Sequence, residues 1–206
     1  GTIWTIPVEG GKAESVTDEM GDSQEPDWSP DGEKIVFHSY RDGTYHIWTI
    51  NKDGSDLTQL TSGISDNREP DWSPDGKSVV FASDRSGNYD IWQIDLSSKE
   101  LKQLTSDKAN DSNPAFSNSG TKIAFVSQRA ESGIYILENG TEKLAVSEAM
   151  RIAAPSWNTD DSKLSYVAFT GKTMLFDDKN TSYIYLANLN DGSTEQISTG
   201  DEDLFP

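Results

Sequence analysis

The sequence predicts an all-β chain, a β-propeller of four-stranded antiparallel blades. Three observations carry this. A block recurs along the whole chain, with its prolines 26, 70, 114, 155 and 206 stepping by 44, 44, 41 and 51 residues. Each copy holds short β-branched and aromatic runs separated by tight-turn residues, and no stretch reads as a convincing helix. The best helical candidate, residues 147–154, is too short and ends at Pro155.

The elements of one unit follow in order. Glu25-Pro26-Asp27-Trp28-Ser29-Pro30-Asp31-Gly32 returns as Glu69-Pro70-Asp71-Trp72-Ser73-Pro74-Asp75-Gly76. Weaker copies begin at Asn113-Pro114-Ala115-Phe116-Ser117 and Ala154-Pro155-Ser156-Trp157, and a cut-off one at Phe205-Pro206. The first strand is expected around Pro-Asp-Trp-Ser. Ser-Pro-Asp-Gly then turns the chain, because Pro presets φ and Gly accepts positive φ. The second strand is Lys34-Ile35-Val36-Phe37-His38-Ser39 or its equivalent. The third is Ile3-Trp4-Thr5-Ile6, repeated at Ile47, Ile91, Ile134 and Ile184. Asp53-Gly54, Asn139-Gly140 or Asp191-Gly192 folds it onto a fourth strand, which ends at Val16-Thr17, Leu60-Thr61, Leu104-Thr105, Val146-Ser147 or Ile197-Ser198.

Residues 1–206 therefore form one propeller domain, with about four full blades and partial blades at both ends. Its units are 1–23 (partial), 24–67, 68–112, 113–153, 154–203 and 204–206 (the start of the next). Blade three has Asn118-Ser119 where Pro-Asp is usual, and blade four has Asp160-Asp161 for Asp-Gly. Blade four also has 27 positions from Trp157 to Ile184, against 19 from Trp72 to Ile91, so a projecting loop is expected near 171–180. The incomplete end blades and the opening Gly1 suit a processed form or a fragment of a longer propeller.

Composition excludes several function classes. With 35 acidic and 17 basic residues the net charge is −18, which argues against nucleic acid and against anionic lipid. Basic partners or cations are easier to accommodate. The apolar share is only 33%, so the core must come from many thin, half-exposed elements, while six Trp argue against a disordered acidic tail. No apolar run reaches the roughly 18 residues of a membrane span, so no membrane insertion is expected. Absence of Cys excludes disulfides and thiolate metal sites.

The order Pro-Asp-Trp-Ser-Pro-Asp-Gly, Phe-x-Ser-x-Arg-x-Gly, Asp-Ile-Trp and Leu-Thr resembles the WD-like repeat of TolB-type propellers, with residues 69–105 matching almost position for position. Residues 3–13 and 201–206 are most similar to pieces of the N-terminal propellers of large exported amidohydrolase-like proteins. The resemblance implies a periplasmic or secreted location. It also implies a non-catalytic interaction or scaffold module, with a metal-dependent hydrolase domain elsewhere in the same protein. Stand-alone periplasmic TolB proteins, which bind envelope partners, and the propellers that gate prolyl-oligopeptidase-type serine peptidases carry the same blades.

No catalytic constellation is visible. The two histidines, His38 and His46, occupy repeat positions held elsewhere by Ala82 or Val126 and by Asp90, as scaffold or surface side chains do. No His-Glu-x-x-His or Gly-x-Ser-x-Gly occurs. Gly171-Lys172-Thr173 lacks the first Gly of a phosphate loop, and residues 51–56 lack the closing Glu of a calcium loop and read as a hairpin turn. Asn110, Asn139 and Asn180 open sequons that matter only in a eukaryotic secretory pathway. Arg41, Arg85 and Arg129 share one repeat position. They form either a ring of anion-binding guanidiniums or, the reading favoured by their recurrence, salt bridges to acids such as Asp31, Asp75 or Asp84.

The loops from strand four to the next strand one are mostly acidic and are expected on one propeller face, around the channel mouth. Asp22, Glu25, Asp27, Asp66, Glu69, Asp71 and Asp111 are the candidate binding residues. Two readings stand. This face binds a basic peptide, a protein partner or a cation such as calcium, or it is a solvated rim that keeps an acidic protein soluble.

Overall fold

The computed structural model describes residues 1–148, 150–169 and 182–198. The fold is an all-β propeller of four four-stranded antiparallel blades, each with its strands in chain order across the sheet. Blade one is β3 (Ser23–Trp28), β4 (Lys34–Ser39), β5 (His46–Asn51) and β6 (Thr58–Gln59). Blade two is β7 (Asn67–Trp72), β8 (Ser78–Ser83), β9 (Asp90–Asp95) and β10 (Leu101–Gln103). Blade three is β11 (Asp111–Phe116), β12 (Lys122–Ser127), β13 (Gly133–Glu138) and β14 (Thr141–Ser147). Blade four is β15 (Arg151–Trp157), β16 (Lys163–Phe169), β17 (Ser182–Asn188) and β18 (Thr194–Gln196). Ahead of them β1 (Trp4–Thr5) pairs with β2 (Glu14–Ser15). The chain divides into two compact units, Gly1–Ser106 and Asp107–Pro206.

The sequence markers have physical reasons. The Ser29 hydroxyl donates to Asp31 (2.6 Å) and accepts the Lys34 N–H (2.8 Å), so the Ser-Pro-Asp-Gly turn carries its own hydrogen bonds. Gly32 takes φ 68° there, and in blade four Asp161 holds the same left-handed position at φ 58°. The closing Thr or Ser satisfies the N–H of the repeated Ile at the start of the Ile-Trp segment or its equivalent: Thr17 accepts from Ile3, Thr61 from Ile47, Thr105 from Ile91 and Ser198 from Ile184, each at 2.9 Å.

Strand one differs from expectation. It starts before the Pro, at Ser23, Asn67, Asp111 and Arg151, inside stretches expected to be loops. The pairing register shifts at the residue before Pro and at Pro itself in all four blades. Glu25, Glu69, Asn113 and Ala154 there adopt φ of 50°, 56°, 48° and 52°. This is a β-bulge, and the Pro within it has no N–H to forfeit from the ladder. Glu25, Glu69 and Asp111 are therefore strand residues, fixed by the sheet.

Packing between blades is described for each unit separately. In the first, Val36 and Ile47 of blade one cluster with Trp72, Val79, Phe81 and Ile94 of blade two. Ile3 and Val16 cluster with Ile35, Phe37, Trp48 and Ile50. In the second, Ala124, Val126, Ile134 and Val146 of blade three cluster with Ile152, Leu164, Tyr166, Ala168 and Ala187 of blade four.

Candidate functional site at the seam of blades one and two

The bulges of blades one and two bring charged side chains together. Glu25 Oε2 lies 3.5 Å from Nδ1 of His38, which is 3% exposed. The backbone N–H of Glu69 donates to the same Nδ1 at 3.3 Å. The nitrogen that accepts carries no proton, so His38 is neutral with its hydrogen on Nε2. Burial, reinforced by the nearby Arg68 charge, pushes the His38 pKa down to about 4. Its contact with Glu25 is therefore not an ion pair at neutral pH. Burial and the like charge of Glu69 push Glu25 up to about 7, with Arg68 working against them.

Asp66 accepts from Thr44 Oγ1 (2.6 Å), Tyr45 N (3.0 Å) and Arg68 (2.9 Å). Burial raises its pKa, and these bonds more than reverse that. Arg68 also lies 4.1 Å above the Tyr45 ring. Asp22 accepts from Tyr45 Oη (3.1 Å), from Gln24 and from the Gly1 amino group, which holds it ionised. Asp27 accepts the Trp72 N–H at 2.9 Å, linking strand one of blade one to strand one of blade two. Its pKa is raised by burial against that bond.

The structure thus links Asp22, Tyr45, Asp66 and Arg68 by hydrogen bonds, sets Glu25 and the Glu69 N–H against His38, and ties Asp27 separately to Trp72. Asp71 sits half-buried in β7. Asp111, in the second unit, is fully buried on Arg129 and so faces away from solvent. Among the described residues, no group of three or more His, Asp or Glu side chains is disposed to hold a metal ion. The residue that sequence reasoning missed is Arg68, because no other blade has an arginine at that position and its role depends on the neighbouring Tyr45. Both histidines are buried scaffold groups; neither is on the surface. His46 Nδ1 lies 3.3 Å from the Asn67 amide and 3.4 Å from the Thr61 hydroxyl.

The three repeated arginines are struts within blades. Arg41 bonds Ser39 and Ser23 and lies over Trp48; Arg85 bonds Ser83 and Asn67 and lies over Trp92; Arg129 bonds Asp111 and lies over Tyr135. The acid partners are a correction to the expected ones. Arg41 pairs with Asp18 (3.3 Å), and Arg129 with Asp111 (3.2 Å), Glu142 (2.5 Å) and Asp107 (3.7 Å). Asp31 and Asp75 are instead taken up by their own turns.

The Asn51–Asp56 stretch is the β5–β6 turn, with Gly54 N on Asn51 O at 2.8 Å. The Gly171-Lys172-Thr173 run, the Asn180 sequon, the loop expected at 171–180 and the acidic stretch 199–203 lie outside the described residues. Among the described residues no helix is long and apolar enough to cross a membrane.

Bulged strand-one edges in all four blades, Ser-Pro-Asp-Gly turns in two and arginine struts in three define a propeller whose repeat is one structural unit. The chain belongs to the TolB beta propeller domain family, whose model matches residues 1–132, and a lipoprotein LpqB beta-propeller domain model matches residues 97–181. Among solved structures it is similar to TolB from Acinetobacter baumannii, at 23% identity and TM-score 0.81 over 96% of this chain and 48% of that one. It is similar too to a putative TolB from Agrobacterium tumefaciens, at 20% identity and TM-score 0.85 over 95% of this chain and 73% of that one. A Mycobacterium tuberculosis puromycin-hydrolyzing peptidase matches at 13% identity and TM-score 0.67, over 89% of this chain and 30% of that one. These likenesses establish the fold. The chain spans about half the length of the Acinetobacter protein. No curated protein matches it.

Proposed function

We propose that this chain is a non-catalytic interaction and scaffold module, working as part of a longer exported propeller protein. Repeat-matched apolar positions carry the reading. Trp4 and Ile6 are 60% exposed, whereas Trp48 and Ile50 at the same register are 9% and 3% exposed. Trp28 is 47% exposed and its mate Trp72 is 7%. In blade one, β4 places Phe37 opposite Trp48 and Ile35 opposite Ile50, and among the described residues no strand does this for β1. Such surface is covered by further strands of the same repeat. The parent is an exported amidohydrolase-like enzyme, in keeping with residues 3–13 and 201–206, and this module binds protein or basic peptide through the acidic seam.

A stand-alone periplasmic TolB-type protein is the second reading, favoured by TM-scores of 0.81 and 0.85 to TolB structures against 0.67 to the peptidase. Intact mass, compared with the length of the coding frame, tests the proposal. A longer frame with a His- and Asp-rich domain downstream supports the enzyme module. A frame with no such domain supports the stand-alone protein, and a native 206-residue product sinks the reading as part of a longer protein.

A further inference from the structure

We propose that the outer edge of blade three is a β-addition site, which takes an extended segment of a partner protein carrying an apolar and an acidic side chain two positions apart. The fourth strand of this blade is unlike the others. β14 runs seven residues, Thr141–Ser147, whereas β6 has two and β10 and β18 have three. The cause is the turn before it. Asn139 and Gly140 take φ of 51° and 74°, a two-residue hairpin that pairs Glu138 with Thr141 at once. In blades one and two the connection runs on through a left-handed Asp56 (φ 56°) or Lys99 (φ 61°), and pairing starts later.

β14 ends its sheet, with no strand beyond it among the described residues. A two-residue hairpin closes on a hydrogen-bonded pair, and such pairs alternate with open ones. Thr141 and Lys143 therefore bond to β13, and the N–H and C=O of Glu142 and Leu144 face outward as a template for another strand. Lys143 stands opposite Ile136, and Ile136 opposite Ala124, so all three side chains share the face that packs on blade four. On that face lies a cavity of about 460 Å³, large enough for side chains of a bound segment. Thr141, Lys143 and Ala145 of β14 line it, with Lys122 and Ile136 beside them and Leu189 of blade four.

The lining selects the occupant. Among the described residues neither lysine ammonium has an ion-pair or hydrogen-bond partner. Glu138 stands opposite Lys122 across the β12–β13 pair without forming an ion pair, and Glu142 is held by Arg129. Two lysines against one uncommitted acid make the groove locally positive in a chain of net charge −18. A strand continuing the antiparallel order sets alternate side chains into this groove, an apolar one on Ile136 and Leu189 and a carboxylate two residues on at Lys122 and Lys143. A second copy of this chain brings another −18 and is disfavoured by repulsion. The surface belongs to the second unit and is independent of the acidic seam in the first.

The test adds the peptide Thr-Val-Thr-Asp-Thr-Val-Thr, blocked at both ends, to the intact chain and follows amide exchange by NMR. Exchange at Glu142 and Leu144 should slow at least about tenfold at saturation, while Thr141 and Lys143, already bonded, change little. N-methylation of the peptide's threonines should abolish binding, because their N–H groups face β14, whereas N-methylation of its Val and Asp should spare it. Replacing the peptide's Asp by Lys should weaken binding at least about tenfold, as should Lys143→Glu with the original peptide, and the two changes together should restore it. Unchanged exchange at Glu142 and Leu144 with about 1 mM peptide overturns the proposal, as does equal binding of the two N-methylated peptides or of the Asp and Lys peptides. Protection there that grows with protein concentration in the absence of peptide also overturns it, since a second copy is then the occupant. Should Lys143→Glu fail to fold, the peptide changes decide alone.

Discussion

Two blade seams built on the same backbone share an apolar core but differ in chemistry at the strand-one bulge. Between blades one and two, strand one is tied by Glu69 N–H to His38, Trp72 N–H to Asp27 and Tyr45 N–H to Asp66. Between blades three and four, the register-matched positions of His38 and Glu69 are Val126 and Ala154, and Val126 packs with Ile152 in an apolar cluster. The polar ties there include Trp157 Nε1 on Ala115 O (3.0 Å), Asn118 Nδ2 on Asn158 O (2.8 Å) and the amides of Asn118 (2.8 Å) and Ser119 (3.0 Å) on Asp161. An apolar seam depends on area and is indifferent to pH, whereas a polar one depends on direction and protonation. A repeat can therefore keep one architecture while a single seam acquires titratable chemistry.

The same contrast runs inside the blades. Blade three clamps strands one and two with Arg129, whereas blade four has Ile152 and Ala168 in place of the polar Asp111 and Ser127. Tyr166 stacks there on Tyr185, with ring centroids 5.5 Å apart. Breaking the polar clamp should cost most. Arg129→Ala strands the fully buried Asp111 charge and should destabilise by about 3–5 kcal/mol in urea unfolding. A loss under about 1 kcal/mol would mean that Asp111 finds water or another donor.

Opening the apolar counterpart should cost slightly less. Leu164→Ala, at a fully buried site, should lose about 3 kcal/mol, with no change of that loss between pH 5 and 8. A pH-dependent loss would show that the second seam also holds titrating groups. The smallest effect has the opposite sign. The Tyr166 hydroxyl is buried without a hydrogen-bond partner among the described residues, and burial holds its pKa up at about 12. Tyr166→Phe should therefore stabilise by about 1 kcal/mol, raising Tm by a few degrees.

Much of the architecture was legible in the residues. The Ser-Pro-Asp-Gly turns, the Ile-Trp strands and the Leu-Thr closers each satisfy a local backbone need, and local needs show at fixed spacing. The strand-one bulge was not legible, because Glu, Asn and Ala share its left-handed position and the Pro that follows reads equally well as the start of a strand. That bulge moves Glu25 and Glu69 from presumed loops into the sheet, beside a histidine 13 or 31 positions away in the chain. The arginine struts could be placed by their recurrence, but their acid partners could not. Arg41 reaches Asp18, and Arg129 reaches Asp107, each just past the end of a preceding strand four.

By itself, the sequence determined the repeat, the strand count per unit, the turns and the acidic charge. All of these follow from interactions within a few residues or from simple sums. The tertiary structure decided which of seven candidate acids meet and in what protonation state. It buried Asp111 on an arginine, set Asp22, Glu25, Asp66 and Glu69 near His38 and Arg68, and tied Asp27 to Trp72 across the seam. The physical reason is that desolvation and charge–charge coupling depend on what lies within a few ångströms in space, across a seam that joins residues about 44 positions apart.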